Sequence, residues 1–248
     1  MDEIDLERLA GGYRYRPAGA AARARARREA DGAGLGPGSV ALDVGGGRGD
    51  HAAEFARRGA AAIVVDRSPT MAAAAAGVVS AVVGDGRRLP IADASADLVY
   101  FHVSIHYGGW EAMLAEAVRV ARVGGRVTVW TLSAEHVAHS FLSRWFPRIA
   151  EIDAARFPAP TAVAERLRDL GCDEVSIDAE TEIVERAAAS WERAVRQGFV
   201  STLQLLAPEE LEAGLALFGE AHPDPASPVR YELDYRRVSG RAPRLRLR

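Results

Sequence analysis

An α/β fold built on a doubly wound, mostly parallel sheet is predicted by three observations. Short apolar runs near residues 39–44, 61–66, 78–83, 96–103 and 126–132 have the length and β-branched content of buried strands. Segments with helical character separate them, near 49–58, 69–76 and 109–122. The first run leads into glycines at every second position, Gly45, Gly47 and Gly49. Glycine is needed so densely where a strand turns sharply into a helix and lets a ligand press on its amides. Alternation of this kind gives parallel strands with helices on both faces.

The elements follow in order. Residues 1–30 read as helical, with an arginine-dense run at 23–28, and Asp31–Gly38 is a breaker-rich linker. Gly124 and Gly125 supply the stop between the helix at 109–122 and the strand at 126–132. Residues 133–159 hold Phe141, Trp145, Phe146 and Phe157 with two prolines, too irregular for one helix. A helix at 160–170 and a strand at 173–179 resume the alternation. Helical segments near 187–206 and 208–220 come next, the second opening on Pro208-Glu-Glu as helix starts favour. The last strand, 229–236, alternates apolar and charged residues, the pattern of a half-exposed antiparallel strand. The chain shows no internal repeat and no domain-sized linker, so one domain is expected.

With 248 residues, 48% of them apolar, the chain can bury a sizeable core. Its net charge of −3 argues against general polyanion binding. All basic residues are arginine, which reads as base-composition bias. The single cysteine, Cys172, has no partner for an internal disulfide. No apolar run reaches the roughly 18 to 20 residues of a membrane span, and the start, Met-Asp-Glu-Ile-Asp, is acidic where a signal peptide would be basic. A soluble cytoplasmic protein without membrane insertion, monomeric or homodimeric, is the expectation.

Two ligands compete for the glycine turn. Gly47-Arg-Gly-Asp-His-Ala52 fits the dinucleotide form GxGxxA, with Asp66 at the distance of a ribose-binding acid. In the other frame an acid, Asp43, precedes Gly45, Gly47 and Gly49. A carboxylate there is awkward beside a pyrophosphate, and it suits a ligand with a cationic amino group. Asp66 and Asp85 end the second and third strands, and a carboxylate at the third can accept a hydrogen bond from an adenine amine. Asp43 and Asp66 could also serve as helix caps, and Asp85 as a turn residue before Gly86.

Five motifs in order carry a family resemblance: Asp43–Gly49, Val65-Asp-Arg-Ser68, Gly84–Ile91, Ala96–His102 and Ala121–Val127. Together, over roughly residues 38–132, the chain resembles the class I S-adenosylmethionine-dependent methyltransferases, in the style of the ubiquinone/menaquinone C-methyltransferase group. The resemblance implies a Rossmann-like, seven-stranded sheet with an antiparallel last strand and helical cover segments. It divides the chain into an N-terminal cap (1–37), a cofactor-binding core (38–132), substrate-side cover (133–159 and 187–222) and last strands (173–179 and 229–238). It implies S-adenosylmethionine as cofactor and S-adenosylhomocysteine as product. Asp43 and the backbone at Gly45, Gly46, Gly47 and Gly49 would lie beside the methionine part and Asp66 at the ribose, with Arg67 also on the cofactor. Asp85 would take the adenine amine, with Gly86 and Arg87 flanking the base. Gly46 departs from relatives that often carry cysteine or another small residue there.

Methyl transfer from a sulfonium is an in-line displacement, for which alignment matters most and a base helps where the nucleophile must lose a proton. His102 ends the fourth strand, and His106 and Tyr107 follow it, so these are the candidate catalytic residues. His102 could equally pack against the cofactor, and His106 could shape its pocket. His136 and His139, beside Glu135, have helical spacing but no clear third ligand, so no metal is expected. His51 is placed at the first helix start and His222 in a surface turn. Aromatic residues outside the core (Tyr13, Tyr15, Phe141, Trp145, Phe146, Phe157, Trp191 and Phe199) either pack the added helices or line an apolar pocket for a small organic acceptor. Arg14 or Arg16 could reach a carboxylate. The reading is therefore a small-molecule methyltransferase, acting on O, N or C of a metabolite or natural product. Its rivals are a tRNA or other nucleic-acid methyltransferase using the basic runs at 23–28 and 236–248, a nicotinamide-dependent oxidoreductase, and a non-methylating S-adenosylmethionine-binding protein. The acidic balance and the lack of an RNA-binding module disfavour nucleic acid as partner.

Overall fold

Strand β1 (Val40–Val44) pairs in parallel with β2 (Ala61–Asp66) on one side and with β4 (Ala96–His102) on the other. Beyond β2 lies β3 (Ser80–Val83), and beyond β4 lies β5 (Ala121–Leu132), both parallel again. The chain closes a seven-stranded sheet with β6 (Asp173–Ala187) and β7 (Pro228–Arg241), in the order β3-β2-β1-β4-β5-β7-β6. Beside β7, Ser133 donates its amide to Asp234 (2.9 Å) and Ala242 donates to Gly125 (2.8 Å). One number rises as its partner falls, so β7 runs antiparallel to β5. Ser176 meets Ser239 and Thr181 meets Asp234 in the same sense across β6 and β7. The strand order reverses beside β1, where open α/β sheets bind ligands at their carboxyl ends. The structure is a computed structural model and describes residues 4–12 and 19–243. Tyr13, Arg14, Tyr15 and Arg16, and Arg244, Arg246 and Arg248, lie outside the described residues.

The helices are α1 (Leu6–Gly12), α2 (Ala20–Gly32), α3 (Asp50–Ala56), α4 (Pro69–Ala76), α5 (Trp110–Val120), α6 (Ala134–His139), α7 (Phe141–Trp145), α8 (Arg148–Arg156), α9 (Pro160–Asp169), α10 (Ala188–Arg196) and α11 (Pro208–Ala221). Among the described residues, no helix is long and apolar enough to cross a membrane. Contacts group the chain into two compact units. The core unit comprises Ala18–Thr131, Pro158–Ala179 and Arg236–Arg248, and the aromatic unit comprises Met1–Pro17, Leu132–Phe157 and Glu180–Tyr235.

Strand periodicity sorts the core unit's side chains onto two faces. Leu42, Val44, Val99, Phe101, Val127 and Val129 point one way, into an apolar cluster with Leu114 and Ala117 of α5 and Leu167 of α9. The alternate residues Asp43, Tyr100 and Thr128 are register partners on the other face, and His102 pairs with Trp130 one step further on. That second face is polar although almost every group on it is buried. It faces α2, whose Glu29 accepts hydrogen bonds from Trp130 Nε1 (3.2 Å), Thr128 and Arg237.

The aromatic unit has its own core. Trp191 is fully buried, stacked on Phe218 with centroids 4.0 Å apart, and Phe141 meets it edge-on at 5.4 Å. Trp145, Phe146 and Phe199 belong to the same cluster. These aromatics pack on one another.

Three local expectations are corrected. The helix expected over 187–206 is two pieces, α10 and a 3₁₀ turn at Ser201–Leu205. Gly198, at φ +63, ends α10: its amide donates to Val195 and the Phe199 amide donates to Ala194, the two bonds of a Schellman cap. The strand expected at 126–132 begins at Ala121, because a bulge over residues 122–125 keeps Ala121 opposite Ala96 while the regular ladder starts at Arg126. The last two strands are longer than their patterns suggested. β7 is paired along both sides, so hydrogen bonding carries it past the alternating segment.

Candidate active site

The turn after β1 is shaped by what surrounds its glycines. Gly45, at φ +69, donates its amide to the Val65 carbonyl (2.7 Å), tying β1's end to β2. A Cβ on Gly45 would lie 2.5 Å from Cβ of Ser104, whose hydroxyl donates to the Val44 carbonyl at 2.6 Å. A Cβ on Gly46 would lie 2.5 Å from Cγ and 2.6 Å from Oδ2 of Asp43. The departure at position 46 thus has a physical reason: the carboxylate of Asp43 takes the room a side chain would need.

Asp43 has no exposed surface, and neither carboxylate oxygen has a hydrogen bond of full geometry. Burial pushes its carboxyl up to about 7; the Ala52 amide in α3 opposes this, and the charges of Asp66 and Asp50 add to it. A buried acid left short of donors carries a desolvation cost that a cation beside it would offset.

Asp66 bridges two loops. Its Oδ2 accepts the Gly47 amide and its Oδ1 accepts the Ser68 amide, both at 2.9 Å. The helix-capping role considered for Asp66 belongs to Ser68, whose hydroxyl accepts the Met71 amide at the start of α4. Asp85 is gripped by Arg87, whose Nη2 donates to Oδ2 at 2.6 Å, and Arg67 Nε stands 3.9 Å away. The Arg87 guanidinium, with Arg67 beside it, holds the Asp85 carboxyl below its usual range. A Cβ on Gly86 would press on Met113 Cε (2.9 Å) and Val44 Cγ1 (3.0 Å), so the backbone after β3 lies close against β1 and α5.

His102 ends β4, with Nε2 2.9 Å from Nη1 of Arg25 and its ring 4.3 Å from that of His51. Val103 then takes φ +51, a left-handed conformation costly for a β-branched residue and concentrated at functional sites. His106 is buried with its ring on Tyr107 at 4.3 Å. The core unit therefore brings the expected acids to the carboxyl ends of β1, β2 and β3, and the two histidines to the end of β4. Sequence reasoning missed Arg25, Ser68 and Ser104. Only the alternation of arginine and alanine at 22–27 marked Arg25, and it reads equally as a solvated face.

The other singled-out residues go elsewhere. His136, in α6 of the aromatic unit, accepts the Asp234 amide at Nδ1 (3.4 Å), and burial lowers its pKa. Among the described residues, no group of three or more metal-binding side chains is present. Among the described residues of the basic runs, most are committed within the protein. Arg25 is fully buried, Arg27 pairs with Glu54, Arg237 with Glu29 and Asp178, and Arg241 with Glu174.

Residues 42–129 match the methyltransferase domain family. Curated relatives include the demethylmenaquinone methyltransferases of Corynebacterium glutamicum, 35% identical over 144 residues, and of Mycobacterium tuberculosis, 34% identical over 140. Each alignment covers 53% of this chain, and 61% and 60% of the relatives, so the chain spans about three-fifths of their length. Among solved structures, the fold matches a candidate methyltransferase from an antibiotic biosynthesis pathway of Anabaena variabilis. The TM-score is 0.65 at 24% identity, covering 86% of this chain and 96% of that one. A candidate methyltransferase from Bacillus halodurans matches with a TM-score of 0.62 at 15% identity, covering 88% and 98%. Residues 42–129, which hold the glycine turn, Asp66, Asp85 and His102, are therefore the part of the chain that is similar to the methyltransferase domain family, on a fold shared with solved structures.

Proposed function

We propose that the protein transfers a methyl group from S-adenosylmethionine to O, N or C of a small organic acceptor. The observation that carries this reading is the line of three carboxylates at the ends of β1, β2 and β3, with Asp43 buried and short of donors. Asp43 would hold the ammonium of the methionine part, and the turn from Gly45 to Gly49, with no Cβ at Gly45, Gly46, Gly47 or Gly49, would let that chain lie against backbone. Asp66 would take the ribose hydroxyls and Asp85 the adenine amine, with Arg67, Gly86 and Arg87 around the base. S-adenosylmethionine, when bound, supplies the methyl as an electrophilic carbon on a sulfonium.

The residues after β4 act on the acceptor side. Alignment of the acceptor atom with the methyl group can supply roughly 7–11 kcal/mol of barrier lowering. His106 is the proposed general base for an acceptor that must lose a proton, worth on the order of 10²–10⁴-fold, with Tyr107 packed on its ring. The names of the curated relatives put aromatic, quinone-like rings first among acceptors to try.

Calorimetry tests the donor half. S-adenosylhomocysteine should bind the wild type, and Asp66→Ala should weaken binding about 100-fold, since two loop contacts to a charged acceptor are lost with the ribose contact. Unchanged affinity overturns the site. Incubation with S-adenosylmethionine and a metabolite extract, read by mass spectrometry, should show one acceptor gaining a methyl. Donor binding without any such gain would favour a non-methylating role.

A further inference from the structure

We propose that Arg25 is a positioning residue that holds His102 as a neutral imidazole with its proton on Nδ1, which makes His102 an uncharged wall of the donor site and leaves the base role to His106. Arg25 lies in α2, has no exposed surface, and places Nη1 2.9 Å from His102 Nε2. A guanidinium only donates hydrogen bonds, so Nε2 must accept with its lone pair and the ring proton sits on Nδ1. A second ring proton would need that same lone pair, and would set a second cation at contact distance from the fully buried Arg25.

The arginine is held in place from behind. Its guanidinium carbon stands 4.9 Å from the centroid of the Trp130 ring, and Trp130 is the register partner of His102 on β5. The indole is fixed in turn by its Nε1 hydrogen bond to Glu29, one helical turn after Arg25. Glu29 also takes Arg237, so its charge is shared. Among the described residues, titratable groups near His102 include His51 of α3, at 4.3 Å, and Tyr100 of β4, stacked at 6.2 Å, with Asp43 beside Tyr100 in register. A ring kept neutral here matters because a positive charge at the end of β4 would oppose a sulfonium next to it. This consequence rests on the S-adenosylmethionine reading; the tautomer does not.

The tautomer is read directly from long-range proton–nitrogen correlation spectra of the full chain labelled at histidine, with the His102 signal identified by its loss in His102→Gln. The expected result is an Nδ1–H imidazole that does not titrate between about pH 5.5 and 8, around the ordinary histidine value near 6.5. An Nε2–H ring, or titration near 6.5, overturns the assignment with no variant needed. Arg25→Met should release His102 to titrate, and Arg25→Lys, which keeps a buried cationic donor, should preserve the Nδ1–H form. The functional half compares the affinities of S-adenosylmethionine and S-adenosylhomocysteine, which share the ammonium facing Asp43 and differ in the sulfonium charge. Their ratio should stay flat with pH in the wild type. In Arg25→Met it should move severalfold against S-adenosylmethionine below about pH 6.5. A flat ratio in a variant whose His102 titrates removes His102 from the donor's surroundings. Failure of the donor site itself appears separately, as loss of all binding or as indifference to Asp66→Ala.

Discussion

The carboxyl-end loops of the core unit and the interior of the aromatic unit are built on opposite terms. In the loops, Gly45, Gly47, Asp66 and Asp85 are held by individual hydrogen bonds, and the absence of a Cβ at Gly45 and Gly46 leaves room for Ser104 and Asp43. In the aromatic unit, Trp191, Phe218, Phe141, Trp145 and Phe146 fill space by ring contacts of several geometries. The difference shows where each kind of side chain is replaceable. A loop position tolerates almost nothing locally, while a ring cluster tolerates shape changes so long as its volume is kept.

Removing volume from the ring cluster should have the largest effect. Trp191→Ala should lose about 3–5 kcal/mol in denaturant unfolding, because Trp191 is fully buried. Trp191→Phe should lose far less. Equal losses would mean that the cluster depends on specific contacts after all.

Next in size is the pH response of Asp43. Its carboxyl rises from 3.8 to about 7 in the fold, so the folded state binds this proton more tightly than the unfolded chain. The stabilisation is complete below about pH 3.8 and is lost as pH rises through about 7, an upper limit of about 4 kcal/mol at 1.36 kcal/mol per unit. Asp43→Asn should flatten that slope in urea titrations of the ligand-free protein. A ligand ammonium needs the ionised form, so wild-type affinity for S-adenosylhomocysteine should fall roughly tenfold per pH unit below about 7. A flat affinity profile would separate Asp43 from the ligand.

Gly46→Ala should then act locally. The added methyl would displace the Asp43 carboxylate and weaken S-adenosylhomocysteine about 10- to 100-fold, or 1.4–2.7 kcal/mol. Retained affinity would show that the carboxylate can turn aside. The smallest effect is expected at Arg87→Ala. Its ion pair with Asp85 is half-exposed, so stability should change by less than about 1 kcal/mol, while S-adenosylhomocysteine affinity measured by calorimetry should stay within a few-fold.

Legibility in the sequence follows the same division. The strands of the core unit, the three acids and the histidines after β4 could be placed because each is tied to a strand end by local chain geometry. The Schellman cap at Gly198 was also written locally, in Gln197-Gly-Phe199, but the helical composition on both sides masked it. Arg25 was not legible. Four arginines crowd residues 23–28, and nothing in their order says which one turns inward.

By itself the sequence determined the α/β alternation, the glycine turn and the acids that flank it, because these depend on backbone conformation and on residues close in the chain. Tertiary structure alone decided that Asp43 fills the space over Gly46, that Asp66 ties two loops, and that Arg25 meets His102 from 77 residues away. Those outcomes need separate strands and helices in one register before any charge finds its partner, and burial then turns an ordinary carboxylate or arginine into one with a single place to go.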